Sequence, residues 1–91
     1  MGLLLIILKL MPTSIETNLK NIEEHAREIA GKFNYTIIGF DQEPIAFGLT
    51  ALIMKLSIDE TTQDLDAMQE ALRNIIGIAS VEIIDMRRGL G

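Results

Sequence analysis

The chain has 91 residues, 13 acidic and 8 basic side chains, a formal net charge of −5, one histidine and no cysteine. This excludes a disulfide framework, thiolate metal sites, a cysteine nucleophile and a histidine-rich metal site. The scattered basic residues disfavour direct nucleic-acid binding, and a chain of this length is expected to form one domain, residues 1–91, with a single core.

In the opening "MGLLLIILKLMP", the apolar run Leu3–Leu8 ends at Lys9. That is far short of the roughly 20 residues that span a bilayer. A signal peptide would need a basic leader and a small-residue cleavage site. Myristoylation would need Ser or Thr where Ile6 stands. No membrane partner is expected, and the expected location is cytoplasmic. The run reads as a buried strand over Leu3–Leu10, stopped by Pro12, which cannot donate to a ladder.

"TSIETNLKNIEEHAREIAGKF" follows. Thr13 and Glu16 form a capping box. Ile15, Leu19, Ile22, Ala26, Ile29 and Phe33 recur at helical spacing, which predicts a helix over Ser14–Ala30 with Gly31 as its C-terminal cap. His25, between Glu24 and Arg27 and off the apolar stripe, reads as a solvated side chain. A second strand is predicted over Tyr35–Phe40, then a connection "DQEPIAFG", then a third strand over Leu49–Ile58. Asp59, Glu60 and Thr61 mark a turn, and Thr61 with Asp64 offers a capping-box variant. A second helix is predicted over Thr62–Ile76, with Leu65, Met68, Leu72, Ile75 and Ile76 on one side and Gly77 ending it. The last strand is predicted over Ser80–Met86, before the tail "RRGLG".

The order is βαββαβ, a ferredoxin-like α+β sandwich. Right-handed crossovers give a four-stranded antiparallel sheet in the order 4-1-3-2, with both helices on one face. Leu3, Leu5 and Ile7 of the first strand and Leu49, Ala51 and Ile53 of the third fall on the other face. An apolar patch is expected there, and with it self-association through the open sheet face.

Catalytic constellations are missing from the pattern. Gly39, Gly48 and Gly77 are isolated, with no phosphate-loop lysine in the required spacing. An acylphosphatase-like enzyme on this fold would want an arginine after the first strand, where "LMPTS" stands. What remains is binding surface. One reading is a small-ligand-binding regulatory module that dimerises; the other comes from a resemblance.

"EPIAFGLTAL" resembles the signature of the elongation factor 1-beta family, the guanine-nucleotide exchange factors of elongation factor 1-alpha. The likeness runs over the whole chain. The first strand ends in "MP", "IGFDQEPIAFGLTAL" covers the hairpin, and "VEIIDMRR" is similar to the "VxVxDxxR" ending of archaeal members. The length is similar to the archaeal form, which is the exchange domain alone.

The resemblance implies an exchange factor, not an enzyme, that needs no cofactor. It would bind the elongation factor 1-alpha GTPase with bound GDP, disturb its magnesium and phosphate site, and let GTP replace GDP. The family's loop phenylalanine contacts the second domain of the GTPase. This carries over to Phe47, with Pro44, Ile45 and Gly48 around it. Eukaryotic members also end in a lysine that reaches the magnesium site. Here "MRRGLG" has no lysine; Arg87 or Arg88 would supply the positive charge, though they stand a few residues earlier and arginine does not replace lysine as a compact point charge.

Overall fold

The computed structural model describes residues 2–89. Its elements are β1 (Leu3–Pro12), α1 (Leu19–Lys32), β2 (Thr36–Pro44), β3 (Thr50–Asp59), α2 (Leu65–Arg73) and β4 (Ile78–Arg88). All strand pairs are antiparallel and the sheet order is β2-β3-β1-β4. This is the expected topology. Leu90 and Gly91, the end of the expected tail, lie outside the described residues.

The core lies between the helices and one face of the two central strands. Ile6, Leu8 and Leu10 of β1 meet Leu52, Met54, Leu56 and Ile58 of β3. From above, Ile22, Ala26 and Ala30 of α1 and Met68 and Leu72 of α2 close over them. Small residues on α1 let the helix sit close to the sheet. Each fully buried Leu or Ile contributes about 1.5–3 kcal/mol.

Both edge strands carry a bulge. Register skips Ile38 in β2, so Ile37 pairs with Leu56 and Phe40 with Met54. It skips Ile84 in β4, so Ile83 pairs with Leu8 and Met86 with Ile6. Residues three apart therefore share the helix-facing side, which strict alternation does not predict. Bulges also blunt edges against pairing with other chains.

Several boundaries differ from expectation. Helix α1 starts at Leu19, not Ser14. Asn18 Oδ1 accepts from the amides of Lys20 at 3.0 Å and Asn21 at 3.3 Å, so Asn18 is the cap and Thr13 is not. Residues 13–17 form a turn instead. Helix α1 also runs through Gly31. It ends in a Schellman arrangement: Asn34 has φ 62°, its amide reaches Gly31 O at 3.1 Å, and the Tyr35 amide reaches Ala30 O at 2.9 Å. Asparagine tolerates that left-handed position.

β1 extends to Pro12, which pairs with Ile78 just past a register shift, where a missing donor matters little. β2 extends to Pro44, because Asp41, Gln42 and Glu43 pair with Ile53, Leu52 and Ala51. Helix α2 is shorter than expected at both ends. Asp59 closes β3 by accepting from the Thr61 amide at 2.9 Å and the Thr61 hydroxyl at 2.7 Å. Those bonds, the amide first, hold the exposed Asp59 carboxyl below its usual range.

The open sheet face carries part of the apolar patch expected, since Leu3, Ile38 and Ile84 are exposed there, but charged side chains interrupt it. Ala51 and Ile53 are buried, and Leu5 and Ile7 are half-buried. Their cross-strand neighbours are charged: Lys9 and Asp41 flank Ile53, Asp85 pairs with Ile7, and Arg87 with Leu5. Lys55 bonds Asp41 at 2.7 Å.

Candidate functional site

The β2–β3 hairpin closes in a four-residue turn. The Leu49 amide donates to Ala46 O at 2.9 Å, and the Ile45 amide donates to Leu49 O at 2.8 Å. The two central residues both have positive φ, 54° at Phe47 and 80° at Gly48. That is the signature of a type I′ turn, which matches the twist of the flanking strands. Gly48 suits such a position. Phe47 does not: a left-handed backbone costs a side chain of this kind about 1–2 kcal/mol.

The strain is not repaid by burial. Phe47 is 97% exposed, against 39% for Ile45. An aromatic ring held in a strained conformation and pushed into solvent is the profile of a functional outlier. Pro44 ends β2 opposite Thr50 and is itself exposed. So Pro44, Ile45, Phe47 and Gly48 stand together at one tip of the sheet.

Arg87 and Arg88 stand elsewhere. They pair with Leu5 and Leu4, at the start of β1, whereas the hairpin tip lies beyond the Leu10–Leu52 pair at its end. From Leu4 to Pro12 is about 26 Å of strand at ~3.3 Å per residue. The molecule is 42 Å along its longest axis. Each arginine already has a carboxylate: Arg87 Nε lies 2.8 Å from Asp85 Oδ2, and Arg88 Nε lies 3.5 Å from Glu60 Oε2. Both guanidinium groups are exposed, but their carboxylates are only partly so, and Glu60 Oε2 is buried with no hydrogen-bond partner among the described residues.

One more residue, Ile15, belongs to the hairpin end, while Ile76 lines the groove between the helices. Ile15 and Ile76 read as parts of helical stripes, but both lie outside the helices. Ile15 is 65% exposed and Ile76 is 96% exposed. The signal for Ile15 was available: "PTSIETN" is rich in turn formers, and Asn18 stands directly before Leu19 as a rival cap.

Elsewhere the surface offers little chemistry. His25 is exposed, and its Nδ1 donates to Asn21 O at 2.8 Å. A groove of ≈ 360 Å³ between the helices is lined by His25, Lys32, Asn74 and Ile75, among others. Among the described residues, no group of three or more His, Asp or Glu is placed to hold a metal ion. No helix among them is long and apolar enough to cross a membrane.

Comparison with known proteins places these features. The model of the EF-1 guanine nucleotide exchange domain matches residues 5–88. An elongation factor 1-beta of Saccharolobus solfataricus is 38% identical over 87 residues, covering 92% of this chain and 92% of that one. One from Methanococcus vannielii is 30% identical over 79 residues, covering 87% and 89%. Two solved structures share the fold alone. The C-terminal domain of the MgtC protein from Mycobacterium tuberculosis has a TM-score of 0.71 at 17% identity, over 97% of this chain and 89% of that one. The ACT domain of a GTP pyrophosphokinase from Chlorobium tepidum has a TM-score of 0.62 at 16% identity, over 88% and 96%.

Proposed function

We propose a function that begins from one fact: this chain belongs to the EF-1 guanine nucleotide exchange family. It is a guanine-nucleotide exchange factor of elongation factor 1-alpha, promoting release of GDP and its replacement by GTP. The partner state it engages is the GTPase carrying GDP. It acts by binding and transforms no substrate of its own.

The observation that carries this reading is Phe47, strained at φ 54° and 97% exposed. Such a ring is offered to a pocket on a partner, as interface hot spots are. The two ends then divide the work. The hairpin end, with Pro44, Ile45, Phe47 and Gly48, anchors on the second domain of the GTPase. The far end, with Arg87 and Arg88, faces the magnesium and phosphate site. The separation of the two ends supports this division, since one partner gripped at both must be held along the long axis.

The energetics need no catalytic group. The factor binds the disturbed form of the GTPase better than the GDP-tight form and shifts the population toward it. Each tenfold weakening of GDP requires about 1.4 kcal/mol of differential binding. By linkage, GDP weakens the factor by the same ratio. GTP binding then expels it.

The test is GDP release. Elongation factor 1-alpha loaded with a fluorescent GDP is chased with excess GTP, with and without this protein. Acceleration is expected, with most of it lost in Phe47→Ala at sub-saturating concentration. No acceleration by the unmutated protein on a correctly loaded partner would sink the reading.

A further inference from the structure

We infer that the docking end is wider than the hairpin, and that Ile15 on the β1–α1 turn is a second anchor for the same GTPase. The inference rests on the exchange-factor reading and extends it to a segment that reading leaves unused.

Three loops converge at this end. The Thr13 amide donates to Gly77 O at 2.8 Å, joining the β1–α1 turn to the α2–β4 loop. A Cβ built on Gly48 would touch Ile15 Cγ2 at 3.4 Å, so the turn abuts the hairpin. Among the described residues there are eight exposed large hydrophobics, and three of them, Ile15, Ile45 and Phe47, stand on the hairpin and the turn that abuts it. Clustering of that kind marks a contact surface.

The platform under Ile15 is organised before binding. The Glu16 amide donates to Ser14 Oγ at 3.2 Å, and the Ser14 amide donates to Thr17 Oγ1 at 3.3 Å. Between this turn and the hairpin lies a hollow of ≈ 80 Å³, walled by Pro12, Ser14, Ile15, Thr17, Leu19, Gly48 and Thr50. Phe47 therefore projects beside a small recess of mixed polar and apolar lining. A ring offered next to a recess fixes orientation as well as position. A preformed surface also loses less conformational freedom when it docks.

The chemistry of the occupant can be read from the rim. Glu16 and Glu43 are both exposed beside these apolar residues, and residues 43–50 and 12–18 contain no lysine or arginine. The complementary surface is an apolar pocket bordered by basic residues. The adjoining hairpin already addresses one partner, and the turn is continuous with it, so a second, independent partner could not seat there without displacing the first.

The experiment compares four proteins in the GDP-release assay across a concentration series. They are the unmutated chain, Ile15→Ser, Ile15→Leu and Ile38→Ser. Ile38 is 55% exposed on the β2 bulge and serves as a surface control. Ile15→Ser is expected to raise the half-saturating concentration about tenfold, the scale of one interface anchor. Ile15→Leu should restore it, and Ile38→Ser should leave it unchanged. Melting curves of all four should coincide within a few degrees, because serine suits a turn and Ile15 is largely solvated. A second readout is amide exchange of Ser14–Thr17, which should slow in the complex. If the unmutated chain accelerates release, yet Ile15→Ser matches it and those amides exchange as in the free protein, the inference is overturned while the exchange reading stands. If the unmutated chain neither accelerates release nor binds, both fall.

Discussion

The Tyr35 hydroxyl donates a 2.5 Å hydrogen bond to Asp64 Oδ1, across 29 positions of sequence. Tyr35 begins the run into β2, and Asp64 stands at the N-cap of α2, yet its side chain caps none of that helix's amides. The carboxylate is committed to the phenol instead. The bond ties the α1–β2 junction to the start of α2, with Phe33 stacked 5.6 Å from the Tyr35 ring. Tyr35→Phe is expected to cost about 1–2 kcal/mol, the range for a hydrogen bond to a charged group that is partly solvated. Chemical denaturation at neutral pH measures it. A loss below about 0.5 kcal/mol would mean that Asp64 swings to the helix amides and compensates as a cap.

The same pair predicts an alkaline limit. Burial first, and then the hydrogen bond and negative charge of Asp64, push the Tyr35 phenol well above its ordinary value. The folded state therefore holds its proton where the unfolded state, near pKa ~10, has lost it. The unfolded state binds fewer protons above that value, so stability falls as pH rises past it. Below it the contribution is complete. Tyr35 is the only tyrosine in the chain, so phenolate absorbance titrates this one group. In the folded protein the absorbance should rise only with unfolding. A simple titration near pH 10 with the fold intact would contradict the assignment.

Phe47 gives a prediction in which stability and function move oppositely. Phe47→Asn puts the favoured Asn-Gly pair into a turn whose two central residues have φ 54° and 80°. The free protein should gain about 1 kcal/mol, or roughly 4–8 °C in melting temperature. GDP release should fall at least about tenfold at sub-saturating concentration. A variant that is both stabler and as active would show that the ring is not an anchor.

The helix start offers a cleaner check on which cap is used. Asn18→Ala removes the acceptor for two amides of α1 and should cost about 1 kcal/mol. Thr13→Ala should cost less than about half of that, since the Thr13 side chain bonds only Thr17 Oγ1, at 3.4 Å. Parallel denaturation curves rank the two. The opposite ranking would restore the helix start at Ser14.

What could and could not be read from the chain follows one division. The topology was legible because β1 and β3 read as the longest apolar runs, as central strands should, and the helical stripes recur at spacings of three and four. Boundaries failed where two local signals competed. Thr13–Glu16 and Asn18 are both competent caps, and only the docking of Thr13 onto Gly77 decides between them. Gly31 and Asn34 are both competent terminators. Tyr35 burial, reached by the longer helix, decides that case. The bulges at Ile38 and Ile84 left no mark, because an extra β-branched residue looks like more strand. Phe47 was legible as an oddity, but its exposure depends on backbone angles that sequence does not print. Arg87 and Arg88 were grouped with it by resemblance, and only the register shows that they lie at the other end.

That separation yields a prediction for the pair Phe47 and Arg88. Substitutions far apart with no shared partner add, to within about 0.3–0.5 kcal/mol. Phe47→Ala removes an anchor that holds equally before and during nucleotide loss, so it should raise the half-saturating concentration and leave the maximal release rate nearly unchanged. On the proposed division of the two ends, Arg88→Ala should do the reverse and lower the maximal rate. Its effect on stability should be measurable, since Arg88 lies 3.5 Å from Glu60 Oε2, a buried oxygen with no hydrogen-bond partner among the described residues. The double variant should show both defects, with free energies that sum. Three concentration series against a single preparation of GDP-loaded elongation factor 1-alpha measure all of it. Strong coupling between the two sites, above about 1 kcal/mol, would mean that the ends do not act independently and that the partner closes on the factor as one rigid event.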